Sequence, residues 1–442
     1  MNTRTEAEFH SNKKTHVRFL ILFFIFIITA ISYADRVALS IVGSDLIKEM
    51  NLDVATLGRI FSAFGIAYML MQIPGGYLLD RYGSIKIYAY SLFFWSLFTL
   101  LHGFVFFAPA MYIVISLALL QFFLGVAEAP AFPANTRIVA TWFPTKERAT
   151  AASIFNASQY FSLAVFSPVL SWITYNFSWQ YVFIVMGLIG FIFSLIWIMF
   201  VRNPLDHNSV SAAELDYIEQ GGAMIHMDKP KAKNKSPSMM DLKRLITNRT
   251  MFGIFLSQYF LNTITWFFLV WFPIYLVQAK GFPVVKAGLV AAIPAIFGFS
   301  GGILGGVFSD FLLKKGFSLT VARKVPIIIG MLLAACIVLC NYTANNTVII
   351  ILMALAFFGK GFGALGFPVI TDTAPKEMVG LCAGIFNVFG NIAPVVTPLV
   401  IGTLVKETHS FNAALIYVSC SALMSMFCYL FVVKDIKRFE IQ

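Results

Sequence analysis

The sequence predicts an all-α polytopic membrane protein of twelve transmembrane helices, built as two six-helix repeats. Three observations predict it. The 442-residue chain is 59% hydrophobic and only 12% charged, where soluble domains carry about 25% charged residues. It contains twelve apolar runs close to the ~20 residues that cross a hydrocarbon core. Its second half repeats motifs of its first. This composition excludes a soluble globular, disordered or fibrous chain. An aromatic content of 16%, with 47 Phe, suits lipid-facing helices. The net charge of +11 would suggest a nucleic-acid partner, but the cations sit in loops between apolar runs, where they set topology.

In chain order the runs are 17–39, 55–79, 87–107, 111–133, 149–175, 179–200, 252–277, 287–313, 325–342, 348–370, 380–404 and 412–433. The first is too long for a signal-peptide core and lacks a small-x-small cleavage site, so it reads as a helix. One side of the loops collects Lys13, Lys14, Arg18, Arg81, Lys86, Lys146, Arg148, Lys314, Lys315, Arg323, Lys324, Lys376, Lys434, Lys437 and Arg438. The other has only Lys48, Lys280, Lys286 and Lys406, with Arg59 nearby. The positive-inside rule then places both termini in the cytoplasm, consistent with an even number of spans. The expected division is a first bundle over 1–201, a cytoplasmic connector over 202–249 and a second bundle over 250–442. Within the connector a short helix is expected around Ala212 to Gln220. The basic run Lys229-Pro-Lys-Ala-Lys-Asn-Lys235 reads as solvated linker. The five cysteines, Cys336, Cys340, Cys382, Cys420 and Cys428, form no CxxC pair and read as buried small hydrophobes. The scattered histidines support no metal site, and no cofactor is expected.

The halves match at a shift of roughly 230 residues. Gly76-Tyr-Leu-Leu-Asp80-Arg81-Tyr-Gly83 closes the second run, and Gly306-Val-Phe-Ser-Asp310, then Lys314-Lys315-Gly316, closes the eighth. Pro144 leads to Ile154-Phe155-Asn156 as Pro375 leads to Ile385-Phe386-Asn387. Phe122-Phe123 precedes Phe132-Pro133 as Phe357-Phe358 precedes Phe367-Pro368. Such parallel repeats rock about a central site and expose it to alternate sides. The chain resembles the major facilitator superfamily over its whole length. That resemblance makes Gly76, Asp80, Arg81, Gly83 and Asp310 a cytoplasmic latch that does not touch substrate.

Charges inside a bilayer are expensive and need a partner or a wet cavity. The candidates are Asp35 and Arg36 in the first helix, Glu128 before Pro130 and Pro133 in the fourth, and Lys360 among glycines in the tenth. An apolar setting favours a protonated carboxyl, and a nearby Arg favours the ionised one. An anion that binds the Arg therefore frees the carboxylate to take a proton. Packing could be met by apolar residues without the desolvation cost, so the group reads as functional. Tyr68 with Gln72, Asn156 with Gln159, and Asn387 with Asn391 are helix-face pairs suited to a polyhydroxylated ligand. Trp266 and Trp271 read as packing.

Tyr33-Ala-Asp35-Arg36, Phe61-Ser-Ala-Phe64, Gln72-Ile-Pro-Gly-Gly76, Glu128-Ala-Pro-Ala-Phe-Pro133 and Trp142-Phe-Pro144 resemble the anion:cation symporter family. Ala354-Leu-Ala-Phe-Phe-Gly-Lys-Gly361, Asp372-Thr-Ala-Pro-Lys-Glu377 and Ala414-Leu-Ile-Tyr417 are most similar to its bacterial glucarate/galactarate permeases. The resemblance implies a monomeric, proton-coupled importer of a sugar-acid anion in the bacterial inner membrane, most similar to D-glucarate/D-galactarate carriers, with D-galactonate, hexuronate or another organic anion as the alternative. It makes Asp35 and Glu128 the proton-linked carboxylates and Arg36 the substrate-carboxylate anchor. It places Tyr33, Tyr68, Gln121, Gln159, Phe367, Asn387 and Asn391 at the pocket. Galactonate carriers resemble this pattern with Asn at Lys360 and Trp at Phe367, so Lys360 is expected to answer the second carboxylate of a hexarate. One position departs: the family pattern has Arg seven residues before the Glu, where this chain has Gln121. Gln cannot neutralise a carboxylate, which predicts weak or uncoupled transport improved by Gln121→Arg. An intramembrane enzyme would need a metal-binding Asp cluster, a His/Asp pair or a Ser-His arrangement, and none is visible.

Overall fold

A computed structural model describes residues 15–227, 239–375 and 378–438. Lys13, Lys14, the basic run from Lys229 to Lys235, Lys376 and Glu377 lie outside the described residues. Twelve long helical rods follow one another: α1 (Val17–Glu49), α2 (Val54–Tyr82), α3 (Ser84–His102), α4 (Met111–Trp142), α5 (Thr145–Asn176), α6 (Trp179–Phe200), α7 (Arg249–Gln278), α8 (Val284–Lys314), α9 (Leu319–Tyr342), α10 (Asn346–Thr373), α11 (Val379–Thr408) and α12 (Asn412–Val432). Eleven are long and apolar enough to cross a membrane. The other, α5, opens on Lys146-Glu147-Arg148 and buries Ser158, Ser162, Ser167 and Ser171. It packs between α1 and α8, so much of its surface faces protein and needs no lipid-like side chains.

Most rods outrun the apolar runs that predict them. α1 continues to Glu49 because its backbone hydrogen bonds do not stop where hydrocarbon does. A short turn then leads to Asp53, whose carboxylate caps α2 by accepting from Thr56 N–H. This is an ordinary N-cap, satisfying a donor that the helix leaves unpaired. Four rods break near prolines. α4 is interrupted between Glu128 and Ala131, where Pro130 and Pro133 each lack a donor. α7 carries a π turn at Phe267–Trp271 just before Pro273. α10 breaks between Phe362 and Gly366, and α11 between Gly390 and Ala393. A missing proline N–H frees a carbonyl one turn earlier and opens the ladder there.

The duplication reappears in the packing. In the first half α1 packs on α5, α2 on α4 and α3 on α6; in the second, α7 packs on α11, α8 on α10 and α9 on α12. The halves meet through α2 on α11, α5 on α8, and α1 on α7. These contacts concentrate away from the end where α1 begins, called here the basic end. A Cβ at Gly65 would stand 2.5 Å from the Pro394 carbonyl group, and one at Gly58 2.5 Å from the Pro398 oxygen. Hydrogen bonds from Ser62 to Val395 O (2.8 Å) and from Ser40 to Val270 O (2.5 Å) cross the same seam. Near the opposite surface, Lys406 Nζ lies 2.9 Å from Asp53.

The connector helix forms at Ala212–Gln220, as its composition suggests. It is tied to the first half: the buried Glu214 accepts from the Thr15 hydroxyl (2.6 Å), Val17 N–H (3.0 Å) and Arg18 (3.0 Å). A second short helix, Met239–Thr247, precedes α7. All five cysteines are free, but Cys420 is exposed and Cys336 only half-buried. The expectation of uniform burial is corrected, because an apolar run also supplies a lipid-facing surface.

Candidate functional site

The polar centre is assembled where α1 passes the break in α4. Arg36 donates through Nε (2.9 Å) and a terminal nitrogen (2.7 Å) to one carboxylate oxygen of Glu128, Oε2. The Arg36 side chain is 11% exposed and that of Glu128 not at all. The guanidinium is surrounded by the rings of Tyr33 (4.8 Å), Phe64 (5.0 Å) and Tyr68 (5.1 Å). Aromatic faces stabilise a cation but leave its outward hydrogen-bonding capacity open. Asp35, one residue earlier and about 100° around the helix, is buried apart from this pair. Its carboxyl faces the Thr99 hydroxyl on α3, but Oδ1 has no partner at hydrogen-bonding distance.

Lys360 approaches from the other half. It is 4% exposed and donates to the Tyr160 hydroxyl on α5 at 3.2 Å. Its ammonium lies 5.2 Å from the Tyr160 ring and 5.4 Å from that of Phe357. No carboxylate pairs with it among the described residues. These two cations thus belong to different bundles, one held by an acid and one by a phenol. Tyr160 is the residue that sequence reasoning missed. The amide at Gln159 drew attention instead, but its nitrogen returns to Asn156 O (3.1 Å), and Asn156 returns to Ala152 O (2.9 Å). The available signal was Tyr160 itself, a phenol in the middle of an unusually polar span.

The remaining predicted residues are less concentrated. Asn387 lies on α11 just before its break, and Asn391 stands in the break, its N–H bonded to Asn387 O (2.9 Å). Phe367 packs edge-on against Phe386 at 5.1 Å. Trp266 lies against Phe64 (6.1 Å) and Trp271 against Phe61 (5.8 Å), so both pack across the seam between halves. Gln121 has a partner on α3. Its amide nitrogen meets His102 Nε2 at 3.3 Å rather than Glu128. His102 Nδ1 lies 2.7 Å from Phe98 O, so that nitrogen donates and Nε2 is left to accept from Gln121.

At the basic end Asp80 pairs with Arg137 on α4, which also donates to Ser84 Oγ (2.9 Å). In the second half Asp310 lies 3.8 Å from Arg323, which also binds Asp372 at 2.8 Å. Arg81 instead reaches the Tyr77 hydroxyl (3.2 Å) and lies over the Tyr82 ring. Gly83 ends α2 with φ of 87°, a left-handed conformation that favours glycine.

The family model of the Major Facilitator Superfamily matches residues 25–323 and 316–439. The chain belongs to the major facilitator superfamily. Within it, the chain is 62% identical to the probable galactarate/D-glucarate transporter GarP of Escherichia coli strain K12, over 97% of this chain and 98% of that one. It is 51% identical to the probable galactarate/D-glucarate transporter GudP of Bacillus subtilis strain 168, over 97% and 94%. A solved bacterial homologue of the human lysosomal transporter Spinster superposes with a TM-score of 0.71 at 17% identity, covering 96% of this chain and 99% of that one, a likeness of fold alone. These superfamily relatives are multi-pass membrane transporters and not enzymes, and so is this chain.

Proposed function

We propose that the protein is a proton-coupled symporter that imports a sugar diacid of the D-glucarate/D-galactarate type by alternating access. The observation that carries this reading is a pair of intramembrane cations: the part-buried Arg36 held by Glu128 in one half, and the buried Lys360 held by Tyr160 in the other. A ligand with a carboxylate at each end can bind both and draw the halves together. When one carboxylate takes Arg36, Glu128 loses its counter-charge and takes a proton, which couples the two fluxes. Release of the proton restores the Arg36–Glu128 pair and expels the anion. Asp35 is the second proton-linked carboxylate, and Tyr33, Tyr68 and Asn387 line the sugar path. The names of the relatives support the same substrate class. The basic end is the cytoplasmic face of a bacterial inner membrane, the chain acts as a monomer, and Asp80 and Asp310 anchor the latch there through Arg137 and Arg323.

The test is binding of D-glucarate and D-galactonate to purified protein at two pH values. D-glucarate is expected to bind more tightly and with a pH-dependent affinity. Lys360→Asn should weaken D-glucarate by at least about tenfold, roughly 1.4 kcal/mol, and leave D-galactonate nearly unchanged. Wild-type D-glucarate affinity in that variant would remove Lys360 from the site. Gln121→Arg should tighten D-glucarate binding; no gain would mean that the His102–Gln121 contact has replaced the role of that Arg.

A further inference from the structure

Beside the Arg36–Glu128 pair lies a cavity of about 20 Å³. That volume fits one water molecule and is far too small for a sugar acid. Its wall joins three groups of the anion's path, Tyr33, Arg36 and Tyr68, to Thr29 and Ser32 of α1, Tyr88 of α3, and Glu128, Ala131 and Asn135 of α4. Three residues of this wall carry a buried polar atom with no partner at hydrogen-bonding distance: Glu128 Oε1, which faces Ser32, the Tyr88 hydroxyl, which faces Thr29 and Asn135, and Asn135 Oδ1. Unpaired buried polar atoms are rare, and a buried water commonly takes two to four such partners. The other atoms of these groups are committed. Glu128 Oε2 is held by Arg36, Asn135 Nδ2 donates to the Thr29 hydroxyl (2.9 Å), and that hydroxyl donates to Ile25 O (2.6 Å).

We propose that this cavity is a water site and the proton port of Glu128, adjoining the place where the anion meets Arg36. The inference rests on the reading of Glu128 as the carrier of the coupled proton. The two carboxylate oxygens then have different tasks: Oε2 faces Arg36 and exchanges it with substrate, while Oε1 exchanges a proton with the water. On release, the O–H bond at Oε1 breaks and the proton joins the water oxygen, with Tyr88 and Asn135 accepting hydrogen bonds from the resulting hydronium. The carboxylate left behind is stabilised by Arg36. Bulk water at the basic end is the final acceptor, and the side chains of Asn135 and Thr29 extend the polar track in that direction. Arg36 bonds Glu128, and the other ionisable groups whose charge reaches it are Asp35 and Tyr33 from α1, Tyr68 from α2 and Tyr88 from α3.

Two variants test the port. Tyr88→Phe removes one hydroxyl and keeps the ring; Ala131→Val fills the cavity without touching a polar group. In proteoliposomes, net D-glucarate uptake driven by a pH gradient should fall roughly tenfold in each, the scale of a lost proton-transfer group. D-glucarate exchange at equal pH, which needs no net proton release, should stay within about twofold. Equal losses in both assays would indicate a packing role and overturn the port, as would no loss in either. A second measurement needs no substrate. Infrared difference spectra after a pH jump follow the Glu128 carboxyl, assigned by the band that Glu128→Gln removes. Tyr88→Phe should slow its deprotonation roughly tenfold; an unchanged rate overturns the port even if the substrate is a different anion. Failure of D-glucarate exchange in the unaltered chain, with the infrared effect intact, overturns the substrate reading alone.

Discussion

The two ends of the seam between the bundles are built differently. Away from the basic end, α2 and α11 approach until their backbones touch at Gly58 and Gly65, and the Asp53–Lys406 pair caps the contact. Toward the basic end the same two helices carry Gly76 and Gly384, and a Cβ added at either meets nothing within 4 Å. The described cross-half hydrogen bonds, from Ser40, Ser62 and Lys360, all lie at mid-depth or beyond it. One end is therefore closed by backbone contact, while the other keeps the same small residues without a partner. The comparison teaches that the glycines of α2 and α11 are spaced for two contacts, of which this conformation makes one. Gly58 and Gly76 are five full turns apart on α2, so they share a helix face at 3.6 residues per turn, while Gly402 and Gly384 stand on opposite sides of the break in α11.

The largest expected effect comes from blocking the closed end. Gly65→Leu drives a side chain into Pro394 and should lower transport by about a hundredfold or more, in line with overpacking costs of a few kcal/mol. Spin labels on α2 and α11 should show the seam opening at that end; unchanged distances would mean that the contact is slack. Next, Gly384→Leu should leave the thermal stability of this conformation nearly unchanged yet lower transport roughly tenfold, because closure at the basic end is then obstructed. A Gly76→Cys/Gly384→Cys double variant sharpens this. It should form a disulfide during turnover and none when the protein is held in the conformation seen here. Cross-linking in both conditions would erase the contrast between the ends.

The smallest effects belong to the cap. Asp53 and Lys406 are about half exposed, so Lys406→Gln should cost no more than about 1 kcal/mol and change uptake only a few-fold. Hydrogen bonding from Thr56, and then Lys406, lowers the Asp53 carboxyl to about 2. Its stabilising contribution is thus complete above the unfolded value of about 3.9 and is lost as pH falls through about 2. The pH dependence of transport near neutrality should survive Asp53→Asn and disappear in Glu128→Gln; the reverse result would move the sensor to the surface.

The sequence determined the twelve rods, the repeat and the chemistry of the centre. Apolar runs of bilayer length have no alternative to helix, since lipid leaves no other partner for the backbone. Charges as costly as Arg36, Glu128 and Lys360 announce themselves wherever they fall in such runs. The connector helix was expected at Ala212 to Gln220 within a polar stretch, and the structure adds its Ser211 cap. Tertiary structure alone decided who pairs with whom. Helical spacing places Asp35 and Arg36 on neighbouring faces, but only the approach of the broken α4 gives Glu128 to Arg36 and leaves Asp35 apart. Gln121 turns to His102, and Asp80 to Arg137, for the same reason: partner choice depends on which helix faces which, and helices far apart in the chain set that through packing. The Tyr160–Lys360 contact joins residues 200 positions apart, and no periodicity within one helix encodes a neighbour brought by another bundle.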